Sequence, residues 1–267
     1  MQPVRPILDE AGLERLERLA LLGEMEEPCP YLPGRSARFK FLDGRFAGIF
    51  FRDLMDFGYR RNGQFIYRPT CTNCRECSVL RVPVATFQKT KEQRRIWNRG
   101  NQVFTLAIAR PEYTEEKALL YLKYLREVHG NERDTLESTH YRQFLLHTCL
   151  DDQTYELQLR HEGRLVGLGI IDVFDDALSS VYFFYDPEYR RYSPGTYSVL
   201  AELAFAARMK LAYYYPGYYI PACPAMNYKV RFRPCEVREL DEGHWGEPRP
   251  REAGPQEKIV DNSPEEW

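Results

Sequence analysis

The run YELQLRHEGRLVGLGIIDVFDDALSSVYFFYD at residues 155 to 186, continuing as PEYRRYSPGTYSVL to residue 200, decides the fold. YELQLR, RLVGLGIIDVF and ALSSVYFFYD are rich in β-branched and aromatic residues, and turn residues separate them, so they predict three successive antiparallel strands. The pattern then changes. Ser193 followed by Pro194 predicts a capped helix with proline at its first position, running to about Lys210, and LAYYY from residue 211 predicts the next strand.

Outward from that block, VFTLAIAR (103–110) reads as a strand and Thr114 as the cap of a helix to about His129. Ser138 to Leu150 reads as a second helix. Strand, two helices, three antiparallel strands, helix, strand is the layout of the GNAT acyltransferases. The expected class is therefore α/β, an α+β mixed sheet, with fold alone leaving the function open. In that layout the helix after the fourth strand aims its free N–H groups at an acyl donor. The coenzyme A signature R/QxxGxG/A is met here by Arg190 and Gly195 but has Ser193 where close backbone approach wants glycine, which argues against a coenzyme A pyrophosphate.

The N-terminal third is built of shorter pieces. Leu13, Leu16, Leu19 and Leu22 fall at helical spacing within Asp9 to Leu22, FKFL lies near Phe39, and Asn62-Gly63 joins YRR to QFIYR as a hairpin. VLRVPV follows as a strand, then a helix opened by the capping box Thr90 and Gln93, with Lys91, Arg94, Arg95 and Asn98 on one face. These pieces predict a smaller cysteine-containing subdomain at 1–102, a transferase-like domain at 103–243 and a Pro-, Gly- and Glu-rich tail at 244–267.

Lys and Arg number 37 against 39 Asp and Glu, so any nucleic-acid contact is a local patch rather than a general coating. No run approaches the roughly 20 apolar residues that cross a bilayer, and the start reads as a charged helix rather than a signal peptide, which predicts a cytoplasmic protein. The seven Cys include Cys71, Cys74 and Cys77, a spacing suited to metal, with Cys29 as a fourth ligand if the fold brings it near. Zinc or an iron–sulfur cluster is one reading; a reduced, packed loop is the other. Aromatic residues are in excess, with 19 Tyr and 15 Phe.

Three sets of polar residues stand out. Asp172 lies inside an apolar strand, where a carboxylate is costly without a partner, and so is a candidate to bind or deprotonate a substrate amine; a turn network at the strand end is the alternative. Alternation puts Ser180, Tyr182 and Phe184 on one face of the next strand and Ser179, Val181, Phe183 and Tyr185 on the other, unless a bulge intervenes. Lys229, Arg231 and Arg233 alternate in MNYKVRFRP like a strand, a row able to hold a carboxylate. Arg60, Arg61 and Arg68, then Lys89, Lys91, Arg94, Arg95 and Arg99, read either as a nucleic-acid track or as solvated faces.

PCPYLPGR (28–35), LMDFGYRRNGQFIYRPTCTNCRECSVLRVPV (54–84), QRRIWNR (93–99), SSVYFFYDPEYRRYSPGTYS (179–198), YYPGYYI and MNYKVRFRP together resemble the bacterial aminoacyl-tRNA–protein transferases, over roughly residues 10 to 240. The nearest resemblance is to the aspartate/glutamate leucyltransferases of the N-degron pathway, relatives of the arginyl-tRNA–protein transferases. It implies transfer of an aminoacyl group from charged tRNA, leucyl or, as the alternative, arginyl, to the α-amine of proteins beginning with Asp or Glu. No cofactor is needed for that chemistry. On this reading Asp172, Ser180 and Tyr182 are the catalytic candidates and Arg68, Lys229 and Arg231 would read the acidic side chain. Lys91, Arg94, Arg95, Arg190, Arg191 and Ser193 would meet tRNA. Competing classes are a coenzyme A-dependent N-acetyltransferase and a non-enzymatic cysteine-metal RNA-binding module.

Overall fold

The computed structural model describes residues 8–130, 135, 141–241 and 243–248. The N-terminal chain forms β1 (Leu21–Pro28), β2 (Ser36–Asp43), β3 (Arg60–Asn62) and β4 (Phe65–Pro69), an antiparallel sheet of order β1-β2-β4-β3. Helix α1 (Glu10–Ala20) is capped by the Asp9 side chain, which accepts from Gly12 N at 2.7 Å. It shares a core with the short helices α2 (Gly44–Ala47) and α3 (Phe51–Asp56), through Leu13, Leu16, Ala47, Leu54 and Met55. The predicted hairpin is present: Asn62 pairs with Phe65 across Gly63 and Gln64, with Gly63 at φ +57°.

The second sheet has seven strands: β5 (Ser78–Pro83), β6 (Thr105–Ala109), β7 (Thr154–His161), β8 (Arg164–Val173), β9 (Ala177–Tyr185), β10 (Tyr213–Tyr219) and β11 (Glu236–Glu239). Their order is β11-β5-β10-β9-β8-β7-β6. The β7-β8-β9 meander is the one read from the sequence; Glu162 and Gly163, both at positive φ, make the first of its turns. Helix α4 (Lys91–Val103) carries the Thr90–Gln93 capping box, and α5 (Glu115–His129) is capped by Thr114. Helix α6 (Pro194–Arg208) then crosses from β9 to β10, and β10 runs parallel to β9. An antiparallel meander followed by a helix and one parallel strand is the GNAT-like arrangement expected.

Two irregularities open this sheet. Parallel pairing runs only from Tyr213 opposite Ala177 to Tyr215 opposite Ser179, after which β9 and β10 part. On the other side of β9, Ile170 faces Tyr182 and Ile171 faces Ser180, so Val181 is the extra residue of a bulge. Strict alternation therefore fails at Val181, and consecutive residues of β9 turn toward the gap.

The structure departs from the sequence reading elsewhere. The helix expected to Leu22 ends at Ala20 and runs directly into β1. The 102/103 boundary does not separate the sheets, because β5 is inserted between β10 and β11 and α4 packs on α6. Residues 228–231 form a 3₁₀ turn instead of a strand; with about 120° between successive residues, Lys229 and Arg231 diverge, one buried and one exposed. Ser193 occupies the N-cap in a left-handed conformation, and its side chain makes no capping bond. The start of the helix expected over Ser138–Leu150 lies outside the described residues, and the described part is a π-helical turn at Arg142–Leu146. Of the expected tail, Gly246 pairs with Val237 and Trp245 lies under Arg81, 3.8 Å from guanidinium to ring centre; residues 249–267 lie outside the described residues. Among the described residues no helix is long and apolar enough to cross a membrane.

Helix α4 docks on α6 through Gly100, whose missing side chain admits the Tyr197 ring; Trp97 stacks on that ring at 5.5 Å and Tyr197 OH donates to Asn101 Oδ1 at 2.7 Å. A Cβ at Gly100 would collide with Tyr197. Gly100→Val is expected to lower stability by about 1–3 kcal/mol, measured as the urea midpoint at unchanged m-value.

Candidate functional site

A cavity of about 230 Å³ lies where β9 and β10 part. Strand β9 supplies Ser180, Val181 and Tyr182, strand β10 supplies Gly217 and Tyr218, and the first turn of α6 supplies Gly195 and Ser198. The small sheet closes it with Arg60, Asn62 and Tyr67, and the turn after β10 adds Met226 and Lys229.

One end of the cavity is cationic. Arg60, 6% exposed, donates from Nη2 to the Ser180 carbonyl at 2.8 Å, whereas its buried Nη1 has no hydrogen-bond partner among the described residues. Lys229, 7% exposed, donates from Nζ to the Tyr218 carbonyl at 3.0 Å and approaches Met226 Sδ at 3.4 Å. No Asp or Glu lines the cavity among the described residues. Burial, and then the nearby Arg60 guanidinium, push the Lys229 ammonium down to about 7. Gly217, at φ +106°, holds this end open: a Cβ there would stand 3.1 Å from Lys229 Nζ and 3.7 Å from Arg60 Nη2. Two buried basic side chains border the same cavity with no carboxylate partner among the described residues, an arrangement chemically suited to receive a carboxylate.

Another part of the lining is an aromatic cluster. Tyr121 and Phe144 meet the Tyr182 ring edge-on at 6.2 and 5.1 Å. Arg61 also lines the wall, held by Asp172 through Nε to Oδ2 and Nη2 to Oδ1, each at 2.9 Å.

Two family models match the chain: one described as arginine-tRNA-protein transferase, N terminus, over residues 27–95, and one described as its C terminus, over residues 116–239. The aspartate/glutamate leucyltransferase of Acinetobacter baumannii strain AYE is 34% identical over 248 residues, covering 90% of each chain. That of Pseudomonas fluorescens strain SBW25 is 36% identical over 233 residues, covering 84% of this chain and 96% of the other. The chain belongs to the aspartate/glutamate leucyltransferase family. The resemblance read from the sequence blocks is thereby shown. Among solved structures, L-PGS from Bacillus licheniformis aligns at 14% identity and a TM-score of 0.43, over 82% of this chain and 78% of that one.

The cavity forms where the family's two matched segments meet, with Arg60 from the first and Ser180, Tyr182 and Lys229 from the second. The remaining sequence candidates lie elsewhere. Asp172 has no exposed surface and does not line the cavity; Thr154 Oγ1 donates to its Oδ1 at 2.8 Å in addition to the Arg61 bonds, so both of its oxygens are already engaged. Arg68 donates to the Leu240 carbonyl at 2.6 Å and lies over the Tyr59 ring, and Arg231 is exposed. Lys91, Arg94 and Arg95 are exposed on α4, and Arg190 and Arg191 are exposed on the 3₁₀ turn before Ser193. These two groups are neighbours: Arg99 of α4 and Arg191 both lie over the Tyr192 ring, at 5.7 and 4.8 Å.

The four sequence-selected cysteines share one neighbourhood. Burial first, and then Cys71, Cys74 and Cys29, raise the Cys77 thiol. Cys71 Sγ accepts from Arg38 N and Cys74 Sγ from Arg35 Nη1, each at 3.4 Å. All seven cysteines are free thiols, and no group of three His, Cys, Asp or Glu among the described residues is placed to hold a metal ion. These donors, as placed, do not converge on a common point, and no chemical step is derived through a metal.

Sequence reasoning placed Arg60 in a nucleic-acid track or a solvated face and did not single out Glu202, which is wholly buried beside the cavity residues Ser198 and Tyr214. A signal for the second exists: SVLAELAFAA at 198–207 contains one carboxylate in an apolar run.

Proposed function

We propose that this chain moves leucine from Leu-tRNA to the α-amine of proteins beginning with Asp or Glu, leaving an N-terminal leucine that marks them for degradation. The observation that carries this reading is the pair Arg60 and Lys229, buried without a counter-ion against the same cavity. An acceptor's side-chain carboxylate satisfies the orphaned Nη1 and favours the charged form of the lysine, so acidic residues bind and neutral ones leave both cations unpaid.

The aromatic cluster around Tyr121, Phe144 and Tyr182 suits a leucyl side chain. An arginyl guanidinium there would lack an acidic partner among the described lining residues, which favours the leucyl donor over the arginyl one. Lys91, Arg94, Arg95, Arg190 and Arg191 form the surface for the tRNA backbone, beside Ser193 and the first turn of α6. The free N–H groups of that turn, at Gly195, favour the oxyanion that develops when the amine attacks the ester. Asp172 acts through Arg61 as a positioning residue, and Tyr182 walls the leucyl site. The cysteines are read as structural, with zinc or an iron–sulfur centre as the alternative; elemental analysis of anaerobically purified protein separates these.

The reading is tested by intact-mass analysis of peptides beginning with Asp, Glu, Asn or Ala, incubated with protein and either Leu-tRNA or Arg-tRNA. Leucyl addition to the Asp and Glu peptides alone is expected. Equal modification of the Ala peptide, or arginyl addition alone, overturns it.

A further inference from the structure

Glu202 stands in the middle of α6 with no exposed surface. Its Oε1 accepts from Ser198 Oγ at 3.0 Å and its Oε2 from Tyr214 OH at 2.8 Å; the Ser180 side chain hydrogen-bonds it as well. From β8 Gly169 approaches it, since a Cβ there would stand 3.5 Å from Oε1. The groups facing it from β8, β9, β10 and α6 are therefore a glycine and three hydroxyls, and no cation pairs with it among the described residues. A carboxylate buried without a cation is expensive for a fold and unnecessary for packing. Burial pushes it up to about 7, against the pull of the hydroxyls, so it changes charge where the enzyme works. Ser180, Ser198 and Tyr214 all line the cavity, and Ser180 is the least buried of them.

We propose that Glu202 receives and returns the proton of the transfer step, with the Ser180 hydroxyl carrying it between the cavity and the buried carboxylate. The proposal rests on the transferase reading above. Because Arg60 holds the Ser180 carbonyl, an acceptor whose acidic side chain is bound at Arg60 brings its α-amine beside the same residue. The lone pair of the neutral amine forms the C–N bond at the leucyl ester carbonyl, and the carbonyl π pair moves onto oxygen. The proton of the resulting ammonium passes to Ser180 Oγ as the Ser180 proton passes to the Glu202 carboxylate. When the carbonyl re-forms, the C–O bond to the tRNA ribose breaks, and the proton returns through Ser180 to the ribose oxygen. The products are an amide and a free ribose hydroxyl, with Ser180 and Glu202 restored.

The test is single-turnover transfer from Leu-tRNA to a saturating Asp-initiated peptide, followed across pH. Glu202→Gln preserves shape, turning one acceptor oxygen into an NH2 donor to which a rotatable hydroxyl can re-orient, and its rate is expected to fall about 10²–10⁴-fold, the range for general acid–base assistance. Its half-saturating acceptor concentration should stay within about twofold of wild type, and the rise in rate through about pH 7 should be lost, leaving only the rise from deprotonation of the acceptor α-amine, at about pH 8. Ser180→Ala, which leaves the Ser198 and Tyr214 bonds to Glu202 in place, should lose rate by a similar factor and serves alone if the glutamine variant does not fold. A wild-type rate in either variant overturns the relay. Absence of transfer by the wild-type protein overturns the transferase reading instead, so the two failures are distinguishable.

Discussion

Arg60→Ala or Lys229→Met is expected to lower kcat/KM for an Asp-initiated peptide by on the order of 10²-fold or more, because each removes one partner of a buried charge-assisted contact, about 2–5 kcal/mol. Transfer to an Asn-initiated peptide, which offers no charge, should change far less, so the Asp-to-Asn preference collapses. Lys229→Met separates this loss from unfolding. It replaces a desolvated lysine with no carboxylate partner among the described residues by an apolar side chain of similar reach, giving up one bond to the Tyr218 carbonyl, so its melting temperature should change little. A loss of Asp preference accompanied by full stability identifies the cationic end as the reader of the acceptor. Retention of that preference in both variants removes the assignment.

The same lysine gives acceptor binding a pH signature. Free Lys229, held at about 7, is mostly neutral at about pH 8. A carboxylate placed beside it favours the ammonium, so binding takes up a proton there; below about pH 6 the lysine is already charged and the uptake vanishes. A succinylated peptide presents the aspartyl carboxylate without the α-amine, whose own titration would otherwise interfere. Calorimetry in buffers of different ionisation enthalpy should show uptake near pH 8 in the wild type and none in Lys229→Met.

The elements that the sequence revealed are those whose signals are local. The 155–186 meander is bounded by turn residues, and Thr90, Thr114 and Pro194 mark helix starts within a few residues of the feature they cap. Strand β1 was invisible because LLGEMEEP lies at a sheet edge with neither face buried, so it carries no alternation. The 229–233 row misled because period-2 charges over five residues are also compatible with a helical turn, and Pro224 at the first position of the preceding helix was the contrary signal. Lys229 still reached the cavity, whereas Arg231 did not. Arg60 was read as a nucleic-acid track or a solvated face, since its burial and its bond to the Ser180 carbonyl, 120 positions away, leave no local sequence signal. The bulge at Val181 and the parting of β9 from β10 depend on pairing between distant segments, and these irregularities make the cavity.

Asp172→Ala is expected to destabilise the fold by about 3–5 kcal/mol, the cost of leaving a buried cation without its partner. Arg61 and Asp172 have wholly buried side chains, lie 111 positions apart, and make a two-point pair closed by Thr154 Oγ1, which in turn bonds Thr148 Oγ1 at 2.7 Å. Arg61 Nη1 also reaches the carbonyls of Gly63, at 3.2 Å, and His147, at 3.4 Å. One guanidinium thus ties the β3–β4 hairpin to β8 and to the chain before β7, and with it the wall that carries Arg60. Replacing both partners by Leu removes the desolvation cost together with the attraction, so Arg61→Leu with Asp172→Leu should recover much of the stability lost by Asp172→Ala. The informative variant is Asp172→Asn, which keeps the shape but turns one of the two acceptors facing the Arg61 guanidinium into an NH2 donor. A positioning role predicts a lower melting temperature and weaker acceptor binding with a nearly unchanged single-turnover rate at saturation. A rate that collapses in a fully stable, fully bound Asp172→Asn protein would instead place this carboxylate in the proton path and take it away from Glu202.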